Sequence, residues 1–409
     1  MTHKYLFKYH FIALIVILLL QLSWTLLVYP SFPNTITLSI CIVSIVFIFT
    51  AALIPTPKPA LLQSQVGKIL PIILTNYGVA FFLIMLLRLD YSRPILLSGL
   101  AITSCWFVIF YYQQENRITE KLYFLGQAYD KSLDEYNNIT FVEASVEQPL
   151  RELTSGIVVD LRHRLTVVEE RLLADCAIAK IPIYHFDILK EKMRRKVSND
   201  SLSENTLSSF QPDTIYQHLK DILDKLFIVV TSPFSISICI VIAILIKLEN
   251  KHEKIIFTQQ RVGLRNKTFT IYKFRTMNSS LLSEKETFAY QESNRISKYG
   301  KFLRKTRLDE LPQFWNVFKG EMSIIGPRPE QPKFVESYSE EVPFYNYRHI
   351  VKPGISGWAQ VNQGYTFNTP GTKEKLSYDL YYIKNFGWTL DFEISLKTIH
   401  VICTGKGAI

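Results

Sequence analysis

Two adjacent carboxylates, Asp309 and Glu310, stand in the stretch "TRLDELPQFWNVFKGEMSIIGPRPE", Thr306 to Glu330, just after Arg304 and Lys305 and beside Arg307. Proline is tolerated only in the first turn of a helix and biases the residue before it away from helical dihedrals. Pro312 therefore predicts a helix from about Asp309 to Lys319, with Gly320 as its C-terminal stop. The acidic pair then sits at a helix N-terminus, where free N–H groups and the macrodipole favour an ionised carboxylate or a bound phosphate. Neighbouring residues on a helix point in different directions, so the two acids are set for different tasks. An ionised Asp can attack phosphorus as a covalent nucleophile while the acid beside it manages a metal or a proton. An acidic first turn by itself is common on any helix, so the surrounding residues decide what this pair means.

Those surroundings are cationic. In "IYKFRTM", Ile271 to Met277, Lys273 and Arg275 recur with the two-residue period that puts side chains on one face of a strand. Pro327 and Pro329 hold Arg328 in a stiff extended turn, which limits the entropy lost when its guanidinium forks onto a phosphate or a base edge. The later stretch "YRHIVKPGISGWAQVNQGY" adds Arg348, Lys352, a glycine-rich bend and Trp358. Acids ringed by cations point to chemistry on a phosphorylated substrate.

What must hold these groups in place is a long and uneven chain. It has 409 residues, a formal charge of +10 and a pI near 9.1, so more than one domain is expected. A basic balance suits nucleic acid, an anionic membrane surface or a phosphorylated substrate. The cations cluster beside acids and apolar runs rather than along a face studded with aromatics, which argues against nucleic acid. The five cysteines, Cys41, Cys105, Cys176, Cys239 and Cys403, lack paired spacing, so neither a disulfide framework nor a zinc site is suggested.

Four apolar stretches, about 11 to 30, 35 to 54, 69 to 87 and 94 to 112, approach the roughly 20 residues needed to span a bilayer. The first lacks a cleavage site and is read as an anchor rather than a signal peptide. Lys4, Lys8, Lys58, Lys68, Arg117 and Lys121 place both ends of this region on the cytoplasmic side, with Arg88 and Arg93 counting against it. A fifth run, Leu226 to Ile246, is long enough to span. However, Lys220 and Lys225 precede it and Lys247, Lys251 and Lys254 follow it, so both flanks favour one face. Ser232-Pro233 near its middle could bend the helix into a re-entrant hairpin, the alternative being a proline-kinked spanning helix.

Between these membrane parts, "KLYFLG", "NITFVEA", "GIVVDL" and "IPIYHFDI" read as short buried strands, and Thr166 to Ala179 as a helix. That pattern suggests a small α/β unit, Rossmann-like but degenerate. Only Gly126 stands where a phosphate-binding G-x-G-x-x-G would be needed, so dinucleotide binding has little support. A Ser- and Asn-rich linker follows. The expected organisation is residues 1–112 as four transmembrane helices in an α-helical bundle, 113–199 as the α/β unit, 200–215 as linker, and 216–409 as a mainly α-helical domain whose re-entrant helix covers about 221–248.

The run "FTQQRVGLRNKTFTIYKFRTM … GKFLRKTRLDELPQFWNVFKGEMSIIGPRPE … RHIVKPGISGWAQVN … KLSYDLYYIKN" resembles the catalytic domain of the bacterial sugar transferases, the monotopic phosphoglycosyl transferases. The resemblance covers about His218 to the C-terminus, and the preceding spans and α/β unit resemble the long-form members. It implies an enzyme that moves a sugar-1-phosphate from a UDP-sugar to polyprenyl (undecaprenyl) phosphate with Mg²⁺. The expected course is ping-pong, through a covalent aspartyl phosphosugar. It also implies a place at the bacterial inner membrane, with catalysis on the cytoplasmic face, in an early step of exopolysaccharide, capsule or O-antigen synthesis.

Carried over by position, Asp309 corresponds to the nucleophile, and Glu310 to the acid that holds Mg²⁺ or orients the acceptor. Pro327, Arg328 and Pro329 match the family's nucleotide-side Pro-Arg-Pro, Lys273 and Arg275 its basic pair, and Asp379 an acid near the metal. Ser232 and Pro233 match the bend of its re-entrant helix. Ser293 and "NQGYTFNTPGTKEK" depart from the commoner pattern and leave the sugar unassigned. Self-association as a homo-oligomer is left open. The rival readings are a catalytically inactive scaffold for polysaccharide assembly and a transporter. The second is disfavoured because the spans hold almost no ionisable residues.

Overall fold

The computed structural model describes residues 3–28, 34–54, 66–115, 120–125, 139–145, 148–153, 155–160, 164–197, 210–249, 254–277, 296–363 and 369–404. Gly126, Ser293, Lys58, Arg117, Lys251 and positions 200–209 and 364–368 lie outside these residues. The chain divides into two compact units, Met1–Arg194 and Arg195–Ile409.

The first unit opens with α1 (His3–Val28), α2 (Asn34–Leu53), α3 (Val66–Leu86) and α4 (Arg93–Glu115). Apolar stretches within α2, α3 and α4 are long enough to cross a membrane, and α1 carries a shorter one, Tyr9–Ser23. Each of these helices is apolar on most sides, as expected where lipid rather than water surrounds it. Their contacts combine buried apolar side chains, among them Ile36, Ile40, Val43 and Ile95, with small residues and hydrogen bonds. Asn76 Nδ2 on α3 donates to Thr50 Oγ1 on α2 at 3.0 Å, and Tyr77 OH lies 3.0 Å from Thr103 Oγ1 on α4. At Gly99 of α4, an added Cβ would come within 2.6 Å of Val43 Cγ2, so only glycine permits this approach to α2.

The expected α/β unit is present. Strands β1 (Glu120–Leu125), β2 (Ile139–Glu143), β3 (Ile157–Val159) and β4 (Ile183–His185) form one parallel sheet in the order β2-β1-β3-β4. Alternation along β1 sends Leu122 and Phe124 to one face and Tyr123 and Leu125 to the other. Helix α5 (Val167–Ile178) covers the second face with Leu172 and Cys176. Helix α6 (Phe186–Arg194) covers the first with Phe186, Leu189 and Met193. Burial on both faces explains why β3 reads as an unbroken apolar run, "IVV".

The second unit begins with α7 (Thr214–Glu249), 36 residues long and itself apolar enough to cross a membrane. The helix continues through Pro233, so the bend expected at Ser232-Pro233 does not interrupt it. Ser232 Oγ donates to Val229 O at 2.7 Å and Ser237 Oγ to Pro233 O at 2.8 Å, adding hydrogen bonds around the proline.

Both ends of α7 pack on the same small domain. Toward the N-terminus, Lys220 Nζ meets Asp391 Oδ2 at 2.5 Å, Lys352 Nζ meets Asp221 Oδ2 at 2.7 Å, and Ser323 Oγ donates to Asp224 Oδ2 at 2.5 Å. Ile228 joins Phe269, Ile271, Val317 and Met322 in one apolar cluster, and Ile242 and Ile246 join Phe274 and Leu303 in another. Between these points, residues 229–241 include no buried side chain.

The rest of the unit is built on the antiparallel hairpin β5 (Ile256–Val262) and β6 (Thr268–Phe274). After it come α8 (Lys298–Lys305), α9 (Phe314–Lys319), β7 (Ser323–Ile325), α10 (Pro332–Glu341), β8 (Gly354–Ser356), α11 (Trp358–Asn362), α12 (Thr369–Lys384) and α13 (Trp388–Thr404). Its core gathers Trp358, Leu376, Leu380, Tyr382, Ile383 and Ile394. Strands β7 and β8 pair in parallel, and a Cβ at Gly354 would fall 2.0 Å from Gly326 N, so the close crossing needs glycine.

Candidate active site

The acidic pair lies in a 3₁₀ turn, Leu308–Gln313, and α9 follows directly. This corrects the expectation of one α-helix starting at Asp309. Arg307 turns the chain with φ 59°, and the pre-proline restriction on Leu311 favours the tighter 3₁₀ geometry until Pro312 is passed. The C-terminal stop is as expected, with Gly320 left-handed at φ 81°. Asn316 of α9, fully buried, fastens this segment to β6: its Nδ2 donates to Thr270 O and Glu321 Oε2 at 2.7 Å, and its Oδ1 accepts from Tyr272 N at 3.3 Å. Its place in "FWNVF" carries no local signal of that role.

The two acids do face different surroundings. Glu310, 5% exposed, is ringed by cations: Lys273 Nζ at 3.0 Å and Arg328 Nη2 at 2.9 Å reach Oε1, and Arg307 Nη1 lies 3.9 Å from Oε2. Burial would push this carboxyl up, but Lys273, Arg328 and Arg307 outweigh it and hold Glu310 well below the usual carboxylate range. Asp309, 8% exposed, has an Oδ1 with no hydrogen-bond partner among the described residues. Burial, then the charge of Glu310, push its carboxyl up, against the pull of Lys273, Arg328 and Arg304. One acid is saturated with positive charge, while the other is buried, destabilised as an anion and open at one oxygen.

The structure thus brings Lys273, Arg328, Asp309 and Glu310 together. Arg275 is half-buried just past β6, with its backbone N–H donating to Ile255 O at 2.9 Å. Arg304 Nε donates to Thr276 Oγ1 at 2.9 Å, which holds its charge near Asp309. The Pro-Arg-Pro turn is clamped at each carbonyl. Pro327 O accepts from Gly354 N at 2.9 Å, Arg328 O from Arg348 Nη2 at 2.8 Å, and Pro329 O from Arg261 Nη1 at 3.2 Å.

Asp379, expected as an acid near the metal, is fully buried on α12 and ion-paired to Arg348 Nη2 at 2.9 Å. The flanking Leu376, Leu380 and Ile383 pull that face of α12 into the core. Arg348 also donates to Tyr345 OH at 2.6 Å, and Glu330 pairs with Lys375 and Arg261. Burial opposes ionisation of Glu330, but Lys375, Arg348 and Arg261 bring its carboxyl down to about 2. Arg261, Glu330 and Lys375 carry no spacing signal that links them in the sequence.

No group of three or more His, Cys, Asp or Glu among the described residues could hold a metal. Mg²⁺ asks for less, since it binds through one or two carboxylates, several waters and the phosphates of its substrate. Such a partial site could draw on the Asp309 carboxylate, whereas both oxygens of Glu310 already face Lys273, Arg328 or Arg307.

Similarities to known proteins agree with this chemistry. The family model described as "Bacterial sugar transferase" matches residues 215–405. A UDP-N-acetylgalactosamine-undecaprenyl-phosphate N-acetylgalactosaminephosphotransferase of Aeromonas hydrophila is 40% identical over 365 residues, 84% of this chain and 82% of that protein. UDP-glucose:undecaprenyl-phosphate glucose-1-phosphate transferases of Klebsiella pneumoniae and Escherichia coli (strain K12) are each 36% identical, over 55% and 58% of this chain and 48% and 51% of their own lengths. The chain belongs to the bacterial sugar transferase family.

Proposed function

We propose that this protein is a membrane-bound phosphotransferase that moves a sugar-1-phosphate from a UDP-sugar to undecaprenyl phosphate, releasing UMP. The relatives differ in their sugar, N-acetylgalactosamine in one and glucose in others, so the donor is assigned only as a UDP-hexose or UDP-N-acetylhexosamine. The observation that carries the reading is the buried oxygen of Asp309, without a hydrogen-bond partner among the described residues, beside a Glu310 whose charge is already matched.

In the first half-reaction, Asp309 Oδ1 attacks the β-phosphorus. An O–P bond forms, and the bond from that phosphorus to the bridging oxygen breaks, so UMP leaves with the electron pair. In the second, a phosphate oxygen of the lipid attacks the same phosphorus and releases the Asp309 carboxylate with the polyprenyl-diphosphate sugar. Burial raises the energy of the Asp309 anion, so the carboxylate is relieved when it becomes an uncharged ester oxygen. Lys273 and Arg328, held on Glu310, are preorganised to offset charge on the diphosphate. The Asp309 carboxylate would hold Mg²⁺ beside Glu310, and the ion would supply charge neutralisation at the leaving phosphate.

Several features support a re-entrant α7, with residues 216–409 as a catalytic domain on the cytoplasmic face of the inner membrane. Both ends of α7 pack on one domain, as a helix that enters and leaves by one face would, and residues 229–241 include no buried side chain. Lys225 and Lys247, with Lys254 beyond the helix, flank the apolar run of α7 on both sides. Trp315 and Phe318, stacked at 5.7 Å on α9 and both exposed, suit a headgroup boundary. There a soluble nucleotide and a lipid phosphate can both reach Asp309. Mass spectrometry of protein incubated with a UDP-sugar alone should find a phosphohexose adduct on Asp309. An unmodified Asp309 together with continued UMP release would overturn the mechanism.

A further inference from the structure

A cavity of about 330 Å³ lies between the C-terminal half of α7 and α8. Ile238, Val241 and Leu245 form its α7 wall, Tyr299 and Phe302 its α8 wall, and Leu308 closes it next to the acidic pair. Apart from Ser237 and Tyr299 the lining side chains are hydrocarbon, and the Ser237 hydroxyl is already spent on Pro233 O at 2.8 Å. A hydrophobic cavity of about 150 Å³ takes up benzene, so this one has room for roughly two or three five-carbon units.

Its position relates it to the chemistry. Leu308 immediately precedes Asp309, and Leu303, also on the lining, immediately precedes Arg304. Helix α8, "KYGKFLRK", carries Lys298, Lys301, Arg304 and Lys305 and no acid, so an apolar wall and a cationic edge belong to one short helix. The helix is fixed in that attitude. Ser297 N donates to Thr276 O at 3.1 Å, Arg304 Nε reaches Thr276 Oγ1, and a Cβ at Gly300 would meet Thr276 O at 2.2 Å.

We propose that this cleft receives the hydrocarbon chain of the lipid phosphate acceptor at its phosphate-proximal end, while the cations of α8 guide the phosphate toward Asp309. The proposal rests on the phosphotransferase reading and deepens it. An anionic head joined directly to a branched hydrocarbon matches a cleft whose cationic edge lies next to an unbroken apolar wall. A diacyl phospholipid would bring ester carbonyls between head and chain, where the lining offers only Tyr299 as an uncommitted donor. The chain emerges along Ile238 and Val241, both exposed on α7, where surrounding lipid can take up its remainder.

Two measurements test this on the full-length protein in nanodiscs. A polyprenyl phosphate carrying a diazirine on its phosphate-proximal isoprene is photolysed with the unaltered protein, and labelled peptides are mapped. Labels on Ile238, Val241 or Phe302, suppressed by excess undecaprenyl phosphate and not by phosphatidylglycerol, are expected. Labels confined to other parts of the chain, or suppressed equally by both lipids, would overturn the assignment. Separately, Ile238→Trp and Val241→Trp fill the cleft from its α7 wall. Each should raise the KM for undecaprenyl phosphate at least tenfold over the unaltered protein, a larger change than any in the UMP burst seen with donor alone. A KM within twofold of the original in both variants sinks the idea. If the unaltered protein releases no UMP from any UDP-sugar, the phosphotransferase reading fails, while the labelling still decides whether the cleft prefers isoprenoid phosphates.

Discussion

Two clusters of buried carboxylates and cations lie on either side of Arg328, and they are built for opposite ends. Around Glu310, three cations converge on one acid and leave the neighbouring Asp309 with an open oxygen. Around Arg348, the acids Asp379 and Glu330 share the cations Arg348, Arg261 and Lys375. Arg328 belongs to both, its guanidinium on Glu310 and its carbonyl on Arg348. Burying charge is costly unless it is matched, and Asp309, pushed up by burial and by Glu310 against the pull of Lys273, Arg328 and Arg304, keeps one oxygen without a hydrogen-bond partner among the described residues. The other cluster holds the turn that carries Arg328 in place. Both clusters use the same residue types, and in each a buried aspartate, Asp309 in one and Asp379 in the other, is pushed up by burial; they differ in place, one beside Lys273 and Glu310 and the other in the core against Arg348.

If that division is right, Asp309→Asn should cost the most activity and no stability. The donor-dependent UMP burst should fall by at least about a thousandfold, as when a covalent nucleophile is removed. The melting temperature should hold or rise, because an unmatched buried charge has gone. Arg348→Met should do the reverse. It strands Asp379 and Glu330 as buried anions, and a loss of about 3–5 kcal/mol of stability is expected, read from chemical unfolding in detergent. Equal stability losses in both variants would erase the distinction between the clusters.

A subtler probe is the pH profile of the donor half-reaction, in which Asp309 must be ionised. Because burial and Glu310 push its carboxyl up, the acid limb should lie above the ordinary aspartate value of about 3.9. Glu310→Gln removes the repelling charge and leaves the cations, so the limb should move to lower pH. Lys273→Met removes an opposing cation and should move it to higher pH. Opposite movements of the acid limb in the two variants are the expected result. Movement in the same direction for both variants would show that Asp309 is not the titrating group.

The smallest effect belongs to Glu330. Its folded-state carboxyl is depressed to about 2, so its contribution to stability is complete above its unfolded value of about 4.3 and is lost as pH falls from there toward 2. Melting temperatures recorded from pH 5 down to pH 3 should therefore fall less steeply in Glu330→Gln than in the unaltered protein. Parallel slopes would remove Glu330 from the structural cluster.

Much of the molecule is legible without coordinates because its signals are local. Apolar runs mark α2, α3, α4 and α7, short β-rich stretches mark β1 to β4, and Pro312 and Gly320 bound the turn and helix around the acidic pair. Each follows from the period of side chains along a strand or helix, or from the backbone restrictions of proline and glycine. The chemistry of neighbouring residue types also put Asp309, Glu310, Lys273 and Arg328 on one page. What no local pattern contained was the pairing. Lys273 and Glu310 are 37 positions apart, and Arg328 and Glu310 are 18 apart. That Asp379 pairs with Arg348 depended on how deeply α12 is pulled into the core. Ion pairs at such separations are set by packing and by the cost of burying an unmatched charge, and both exist only once the chain has folded.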